Sequence, residues 1–283
     1  CKYCRPETNM TDHIVFIGAG NMAGALISGL LADGTPPERI IAADPSIEKC
    51  QALSGMTGIR TLQDNREAAI LADVLVLAVK PQVLNQVARE IAEQTRERRP
   101  LVISIAAGVR CDSLQAWLGG EVALVRTMPN TPAMIRAGAT VLYATQGVSE
   151  EQRGQAESLM RAVGLVQWIA DESLMDAVTA LSGSGPAYHF LIMEAMESAA
   201  RELGLPAETA HLLTLQTAFG AARMALESDE PPETLRARVT SPGGTTERAV
   251  QRLEAGGIRD LFGEALQAAR DRSVELSVDL GNT

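Results

Sequence analysis

The stretch 13–31, HIVFIGAGNMAGALISGLL, is the feature that most constrains how this chain can fold. A short apolar strand runs through Gly-Ala-Gly into a helix. Gly18 permits a tight turn, and Gly20 lets the backbone approach a pyrophosphate closely. Ala23 and Gly24 are small enough for the helix to pack on the strand, and the N–H groups at its N-terminus attract an anion. The pattern predicts a dinucleotide-binding unit, although glycine turns after strands also serve packing alone.

A second apolar strand, 40–43, ends in Asp44, about where the acid that binds the ribose lies in such units. A carboxylate there accepts hydrogen bonds from a ribose 2′-hydroxyl and repels a 2′-phosphate. No Lys or Arg lies closer in sequence than Lys49, on the following helix, to offset that repulsion. The two features together predict a nicotinamide nucleotide site, with NADPH or NADH as the cofactor.

Length, charge and hydropathy narrow the class of protein. The 283 residues are 46% apolar, which fits two ordinary domains of about 100–200 residues each. The formal net charge of −10 argues against a nucleic-acid partner, because phosphate backbones are bound by clustered Lys and Arg. No apolar run approaches the roughly 18 residues of a membrane-spanning helix. A cytoplasmic protein that binds neither membrane nor nucleic acid is expected.

The cysteines predict no metal site. Residues 1–12 are expected to be a disordered leader, and Cys1 and Cys4 within it form a single Cys-x-x-Cys without a second pair or a nearby His. A closed zinc site therefore lacks ligands. Cys50 and Cys111 are expected to be reduced thiols.

Strand and helix patterns alternate up to about residue 170. Such alternation predicts an α/β fold with a largely parallel, doubly wound sheet of Rossmann type, a NAD(P)-binding domain over 13–170. The predicted strands are 13–17, 40–43, 74–79, 101–105, 122–126, 140–143 and 165–169, and one helix is predicted over 82–97. Ligands of such sheets bind beyond the carboxyl ends of the strands. The segments at those ends are Asp44, Lys80-Pro81, Ala106-Ala107-Gly108 and 128–132.

Each of these segments also has a purely structural interpretation. Pro81 can simply begin the next helix, Lys80 can be a solvated strand end, and Gly108 can belong to a plain turn. The small residues beside Gly108 also leave room for a ring, and Asn130 and Thr131 offer polar groups in a loop fixed by prolines. Several such loops on one rim favour a binding site.

After residue 170 the pattern is helical only. It predicts an all-helical C-terminal substrate-binding and dimerisation domain over 171–283, with helices at 185–204, 206–227, 232–239, 245–255 and 258–278. The first two helices carry faces of small residues, among them Ala195, Ala199, Ala218 and Ala222. Such faces favour close packing against other helices, including those of a second subunit.

The loop 240–246, TSPGGTT, is the most chemically specific feature of this half. A Pro-Gly-Gly turn that leads into a helix presents successive backbone N–H groups as an anion nest, with threonine hydroxyls at its edge. This arrangement predicts a carboxylate site. The alternative is an interhelix turn with Thr245 as the N-cap.

Six segments, in this order and spacing, carry a family resemblance: GAGNMA, LAVKPQ, SIAAGV, RTMPNTPA, ALSGSGPAY and VTSPGGTT. From residue 14 to about residue 275 the chain resembles pyrroline-5-carboxylate reductase. The resemblance implies a Rossmann domain that holds NAD(P)H and a helical domain that forms an intertwined homodimer, often assembled into decamers. It also implies reduction of 1-pyrroline-5-carboxylate to L-proline, the last step of proline biosynthesis.

The resemblance also assigns site residues. The cofactor-binding residues are Gly18, Gly20, Asn21 and Met22 at the diphosphate, Asp44 and Ser46 at the ribose, Asn65 at the adenine, and Ala78, Val79, Lys80, Pro81, Ala107 and Gly108 along the path to the nicotinamide. The substrate-binding residues are Glu172, Ser241, Gly243, Gly244, Thr245 and Thr246. The substrate carboxylate would lie over Gly243 to Thr245, and Thr246, the catalytic residue, would direct its hydroxyl at the ring nitrogen. Many relatives have Ser in place of Asp44, which leaves the choice between NADH and NADPH open.

Two other functions stay open at this stage. A hydroxyacid dehydrogenase of similar layout would need a positioned proton donor, whereas a protonated imine, the substrate of this or another imine reductase, already carries its proton. No Lys follows Lys80, and His189 and His211 lie on apolar helical runs, which favour packed side chains. A non-catalytic nucleotide-sensing module would need the cofactor site but no carboxylate nest.

Overall fold

The computed structural model describes residues 13–281, so the predicted leader, residues 1–12, lies outside the described residues. The chain divides into two compact units. The first ends at Gly183 and takes in the chain again from Ala269, and the second is Ser184–Ala268. None of the helices in the described part of the chain is long and apolar enough to cross a membrane.

The first unit is built on one eight-stranded sheet. Its strands are β1 Ile14–Ile17, β2 Ile40–Ala43, β3 Arg60–Leu62, β4 Val74–Leu77, β5 Leu101–Ser104, β6 Leu124–Met128, β7 Gly138–Ala144 and β8 Gly164–Trp168. The order is β3-β2-β1-β4-β5-β6-β7-β8, and every neighbouring pair is parallel except β6 and β7. The chain therefore reverses its direction of winding between β1 and β4, which places the ligand crevice at their carboxyl ends. The predicted doubly wound sheet is confirmed.

The strands are buried because helices cover both faces of the sheet. Phe16 packs on one side with Leu26 and Ile27, whereas Val15 and Ile17 belong to the cluster on the other side. The helices are α1 Asn21–Ala32, α2 Ile47–Thr57, α3 Asn65–Ala69, α4 Pro81–Glu90, α5 Ala92–Arg98, α6 Cys111–Trp117, α7 Glu150–Arg161 and α8 Met175–Val178. Shorter 3₁₀ segments lie at Pro37–Arg39, Thr131–Ile135 and Glu172–Leu174, and a π-helical turn lies at Thr179–Gly183.

Several predicted boundaries are wrong in detail. The single helix expected over 82–97 is two helices, α4 and α5, because Ile91 leaves helical geometry while its side chain is fully buried. Strand β6 begins at Leu124 rather than at residue 122. Strand β3 was not predicted, because Arg-Thr-Leu at an exposed sheet edge carries no apolar run.

The segment after the last strand belongs to the first unit. The sequence places the domain boundary at 170/171, whereas the compact unit continues to Gly183. Met175 and Ala180 are buried, and Glu172 forms an ion pair with Arg126 on β6. These contacts attach the segment to the sheet before the long helices begin.

The second unit is helical, as predicted. It contains α9 Gly185–Glu202, α10 Ala207–Leu226, α11 Pro232–Arg238, α12 Thr245–Ala255 and the start of α13 Ile258–Gly281, whose end lies in the first unit. Gly204, with φ of 97°, follows α9, and Pro206 is the N-cap of α10. Many large apolar side chains of this unit are exposed on the single chain, including Phe190, Leu191, Met196, Leu212, Leu213, Leu215, Phe219 and Met224.

Candidate active site

The turn after β1 has the tight geometry that Gly18 was predicted to permit. Gly18 has a φ of 107°, and its N–H donates to the Ala43 carbonyl at 2.7 Å. A Cβ at Gly18 would lie 2.6 Å from the carbonyl oxygen of Ala78 and 3.1 Å from a methyl group of Val79. The structure thus brings together Gly18, Ala78 and Val79, three of the expected cofactor-binding residues, at the winding reversal of the sheet.

Gly20 differs from Gly18 in both its backbone conformation and its surroundings. It is the N-cap of α1 with a φ of −81°, which any residue adopts, and no heavy atom of the described chain lies within 4 Å of where its Cβ would stand. The first turn of α1, beginning with Asn21 and Met22, carries no acidic side chain. This open space before an uncompensated helix N-terminus fits the diphosphate of a dinucleotide.

The Asp44 side chain is fixed by hydrogen bonds from the turn after β1 and from its own loop after β2. Its carboxylate accepts hydrogen bonds from the N–H groups of Ala19 at 3.1 Å and Ser46 at 3.0 Å, and Lys49 pairs with it at 3.2 Å. Burial alone would raise the pKa of Asp44, but these two N–H groups and the Lys49 ammonium outweigh burial and hold the pKa below its ordinary value. The carboxylate is therefore ionised at neutral pH and fixes Ala19 beside Gly20.

Ser46 and Asn65 lie at the starts of the next two helices. The Ser46 hydroxyl caps α2 by accepting from the Lys49 N–H at 3.3 Å, and it donates to Glu48. Asn65 is buried at the start of α3, and its amide donates to Glu90 at 3.3 Å. Its carbonyl oxygen Oδ1 is buried and has no hydrogen-bond partner among the described residues. An acceptor without a donor fits a ligand that carries an N–H or O–H group.

The remaining rim residues divide between open and covered positions. Lys80 is exposed, and Pro81 begins α4, so the structural interpretation of Pro81 holds. Ala107 is half-buried. Gly108, with φ of 74°, is buried, and its Cβ position lies 3.4 Å from Leu280 of α13. The end of α13 thus covers one side of this turn within the first unit.

A buried ion pair lies next to the same turn, and sequence reasoning missed half of it. Arg126 donates to Glu172 Oε1 at 2.7 Å, and the Cys111 N–H donates to the same oxygen at 2.8 Å. Only 6% of the Arg126 side chain and 15% of the Glu172 side chain are exposed. Burial raises the pKa of the Cys111 thiol strongly, and the Glu172 charge adds to this. An arginine within an apolar strand was the signal, because such a charge needs a buried partner.

The loop before α12 forms the expected turn. Gly243 has a φ of 72°, and the Gly244 N–H donates to the Ser241 carbonyl at 3.0 Å. The N-cap of α12 is Gly244, so the alternative with Thr245 as N-cap is wrong. The Gly243 N–H donates to the carboxylate of Glu247 at 2.8 Å. Thr245 and Thr246 are exposed in the first turn.

The histidines do not lie where the apolar runs suggested. Both His189 and His211 are exposed on the single chain, and His211 Nδ1 lies 3.0 Å from Glu197. The expectation that they are packed is therefore wrong for the single chain. Among residues 13–281, no three His, Cys, Asp or Glu side chains cluster in a way that could hold a metal ion.

Known proteins match both units. Residues 172–276 match the family model described as pyrroline-5-carboxylate reductase dimerisation, and residues 13–108 match the one described as NADP oxidoreductase coenzyme F420-dependent. The pyrroline-5-carboxylate reductase of Pseudomonas aeruginosa is 52% identical over 271 residues, which are 96% of this chain and 99% of the relative. That of Escherichia coli is 39% identical, over 95% of this chain and 99% of the relative.

Solved structures agree with the sequence relatives. A pyrroline-5-carboxylate reductase from Coxiella burnetii is 51% identical with a TM-score of 0.91, over 94% of this chain and 99% of that one. The Plasmodium falciparum pyrroline carboxylate reductase with NADP bound is 29% identical with a TM-score of 0.84, over 95% of this chain and 100% of that one. The chain belongs to the pyrroline-5-carboxylate reductase family.

Proposed function

We propose which residues of this chain bind the cofactor and which bind the substrate in the reaction of its family. The chain is an NAD(P)H-dependent oxidoreductase that reduces 1-pyrroline-5-carboxylate to L-proline, the last step of proline biosynthesis. The observation that carries this function is 52% identity to such a reductase over nearly the whole chain. The runner-up, a hydroxyacid dehydrogenase, has no comparable relative among these matches.

The cofactor role falls to the rim of the sheet. The bound nucleotide supplies a hydride when NADH or NADPH occupies the site. Gly20, Asn21 and Met22 would hold its diphosphate through N–H groups at the start of α1, with Gly18 keeping the turn tight. Asp44 and Ser46 would face the ribose. The unpartnered Oδ1 of Asn65 supports its role at the adenine.

The nicotinamide end would meet the turns after β4 and β5. Ala78, Val79, Lys80 and Pro81 would line the first turn, and Ala107 and Gly108 the second. Small side chains there let a ring lie against backbone. The buried Glu172 supports the second turn by binding the Cys111 N–H, just beyond Gly108. That Glu172 also contacts the substrate stays a prediction.

The substrate role falls to the loop before α12. Ser241, Gly243, Gly244 and Thr245 would surround the substrate carboxylate, with the helix N-terminus behind them. Thr246 would use its exposed hydroxyl to hydrogen-bond the ring nitrogen. The imine arrives protonated, so this site needs to orient a charge that already exists rather than supply a proton.

Oligomerisation accompanies this function, since the dimerisation model covers the helical half. The exposed apolar side chains of α9 and α10 support a homodimer as the basic assembly. A decamer and a cytoplasmic location remain proposals, and the two buried free thiols, Cys50 and Cys111, fit a reducing compartment.

The role of Thr246 is tested by replacing its hydroxyl. Thr246→Ala is expected to lower kcat/KM for pyrroline-5-carboxylate about 10- to 1000-fold, the range for one donor directed at a transition state. Thr246→Ser keeps the hydroxyl and is expected to stay within about tenfold of the wild type. NADPH affinity should not change in either variant. Wild-type turnover by Thr246→Ala would remove Thr246 from the mechanism.

A further inference from the structure

The loop assigned to the substrate carboxylate already holds a carboxylate of the protein itself. The Gly243 N–H donates to Glu247 Oε2 at 2.8 Å, and Glu247 lies in the first turn of α12. The side chain is half-buried. Gly243 therefore offers its N–H to the same chemical group that the substrate would bring.

The other N–H groups of the loop divide into used and open ones. The Gly244 N–H donates to the Ser241 carbonyl at 3.0 Å, as part of the turn. The N–H groups of Thr245 and Thr246 begin α12 and have no acceptor within the described part of the chain. A substrate carboxylate thus finds two open donors, and it reaches the third only where Glu247 has moved away.

We propose that Glu247 competes with the substrate carboxylate for the Gly243 N–H and thereby weakens the binding of pyrroline-5-carboxylate and proline. The inference rests on the proposed function, which assigns the substrate carboxylate to this loop. A site that an internal group occupies for most of the time binds its ligand more weakly in proportion to the free fraction. Like charges on Glu247 and the substrate act in the same direction.

A purely structural role for Glu247 makes the opposite prediction. A glutamate at the third helical position that reaches back to a preceding N–H stabilises the start of a helix. If that were its whole role, its removal would loosen the loop and weaken substrate binding. The two roles therefore differ in the sign of the change in KM.

The test compares Glu247→Gln and Glu247→Ala with the wild-type enzyme. KM for pyrroline-5-carboxylate and the inhibition constant of proline are both expected to fall about three- to tenfold, corresponding to a free fraction of about one tenth to one third. We expect kcat to stay within about twofold and the KM for NADPH to stay constant. Glu208→Ala is the control, because Glu208 is also a glutamate in the first turn of a helix of this unit, although it is exposed.

Three outcomes separate the possibilities. A fall in both constants for the Glu247 variants, but not for Glu208→Ala, supports the competition. A rise, or no change, while Thr246→Ala still loses activity, overturns the competition and leaves the proposed function standing. If Thr246→Ala and both Glu247 variants all behave like the wild type, the assignment of the substrate to this loop is overturned, and the competition with it.

Discussion

The Lys49 ammonium lies 3.2 Å from one carboxylate oxygen of Asp44 and 3.4 Å from the other. The sequence identified Lys49, on the following helix, as the nearest cation in sequence that could offset the repulsion between Asp44 and a 2′-phosphate, and the structure pairs the two side chains. Both carboxylate oxygens also accept backbone N–H groups. The negative charge at the end of β2 is thus partly balanced, and Lys49 remains 56% exposed beside it.

Coenzyme choice is therefore predicted to respond in opposite directions to these two residues. Asp44→Ser removes the negative charge and should raise the ratio of kcat/KM with NADPH to that with NADH. Lys49→Met should lower the ratio about three- to tenfold, as expected for one partly solvated charge worth about 1 kcal/mol. The wild type is predicted to use NADH at least comparably to NADPH. Unchanged ratios in both variants would exclude this pair from coenzyme selection.

The two glycines of the nucleotide turn are predicted to fail in different ways when each is replaced by Ala. Gly18→Ala forces a Cβ to within 2.6 Å of a carbonyl oxygen at a φ of 107°, so the free energy of unfolding should fall by about 1–3 kcal/mol. Gly20→Ala meets no heavy atom of the described chain, so stability should be retained. Its methyl group would occupy the space of the diphosphate, and the Kd for NADPH should rise at least about tenfold.

Thermal unfolding and nucleotide titration of the two variants check this contrast. Normal NADPH affinity in a stable Gly20→Ala enzyme would show that the diphosphate does not lie over Gly20. Full stability of Gly18→Ala would contradict the contact with Ala78.

The first unit shows why some elements could be predicted and others could not. Strands β1, β2, β4 and β5 are buried on both faces, so each forms a continuous apolar run that the sequence displays. Strand β3 pairs only at the sheet edge, and its three residues owe their geometry to β2. The break at Ile91 has no Pro or Gly to announce it. Ile91 is fully buried, so its conformation depends on core contacts that the local sequence does not reveal.

The residues of the candidate site also differ in how far the sequence alone could predict them. The positions of Gly18 and Gly20 follow from local chain geometry, so the motif alone identified them. The pairs Asp44–Lys49 and Gly243–Glu247 are also close in sequence, yet helix periodicity does not say which hydrogen bond a side chain makes. The contact of Arg126 with Glu172 joins residues far apart in the chain, and only the folded sheet brings them together.

Variants of Glu172 test whether this residue supports the turn after β5, at Gly108, or contacts the substrate. Glu172→Gln leaves Arg126 buried without a counter-charge, and the free energy of unfolding should fall by about 3–5 kcal/mol. Because the Cys111 N–H loses a charged acceptor just beyond Gly108, we expect a larger rise in KM for NADPH than for pyrroline-5-carboxylate. The double variant Arg126→Met with Glu172→Met should recover stability, since it removes both charges.

Denaturant unfolding and steady-state kinetics on these variants separate the two roles. A rise confined to the KM of pyrroline-5-carboxylate would assign Glu172 to the substrate. Arg126 would then be only its anchor.

The exposed apolar face of α10 is predicted to be buried between two subunits. Leu212, Leu215 and Phe219 recur at helical spacing along one face, and Phe219 is 59% exposed on the single chain. Burial of each such side chain contributes about 1.5–3 kcal/mol. The double variant Leu215→Glu with Phe219→Glu should therefore raise the dissociation constant of the dimer at least about 100-fold, as measured by sedimentation velocity over a range of concentrations.

Met56→Glu is the matched control. Met56 is 71% exposed on α2 of the first unit, and its substitution is expected to leave assembly unchanged. If the Leu215→Glu, Phe219→Glu variant assembles like the wild type while Met56→Glu dissociates, the interface lies on the first unit rather than on the second.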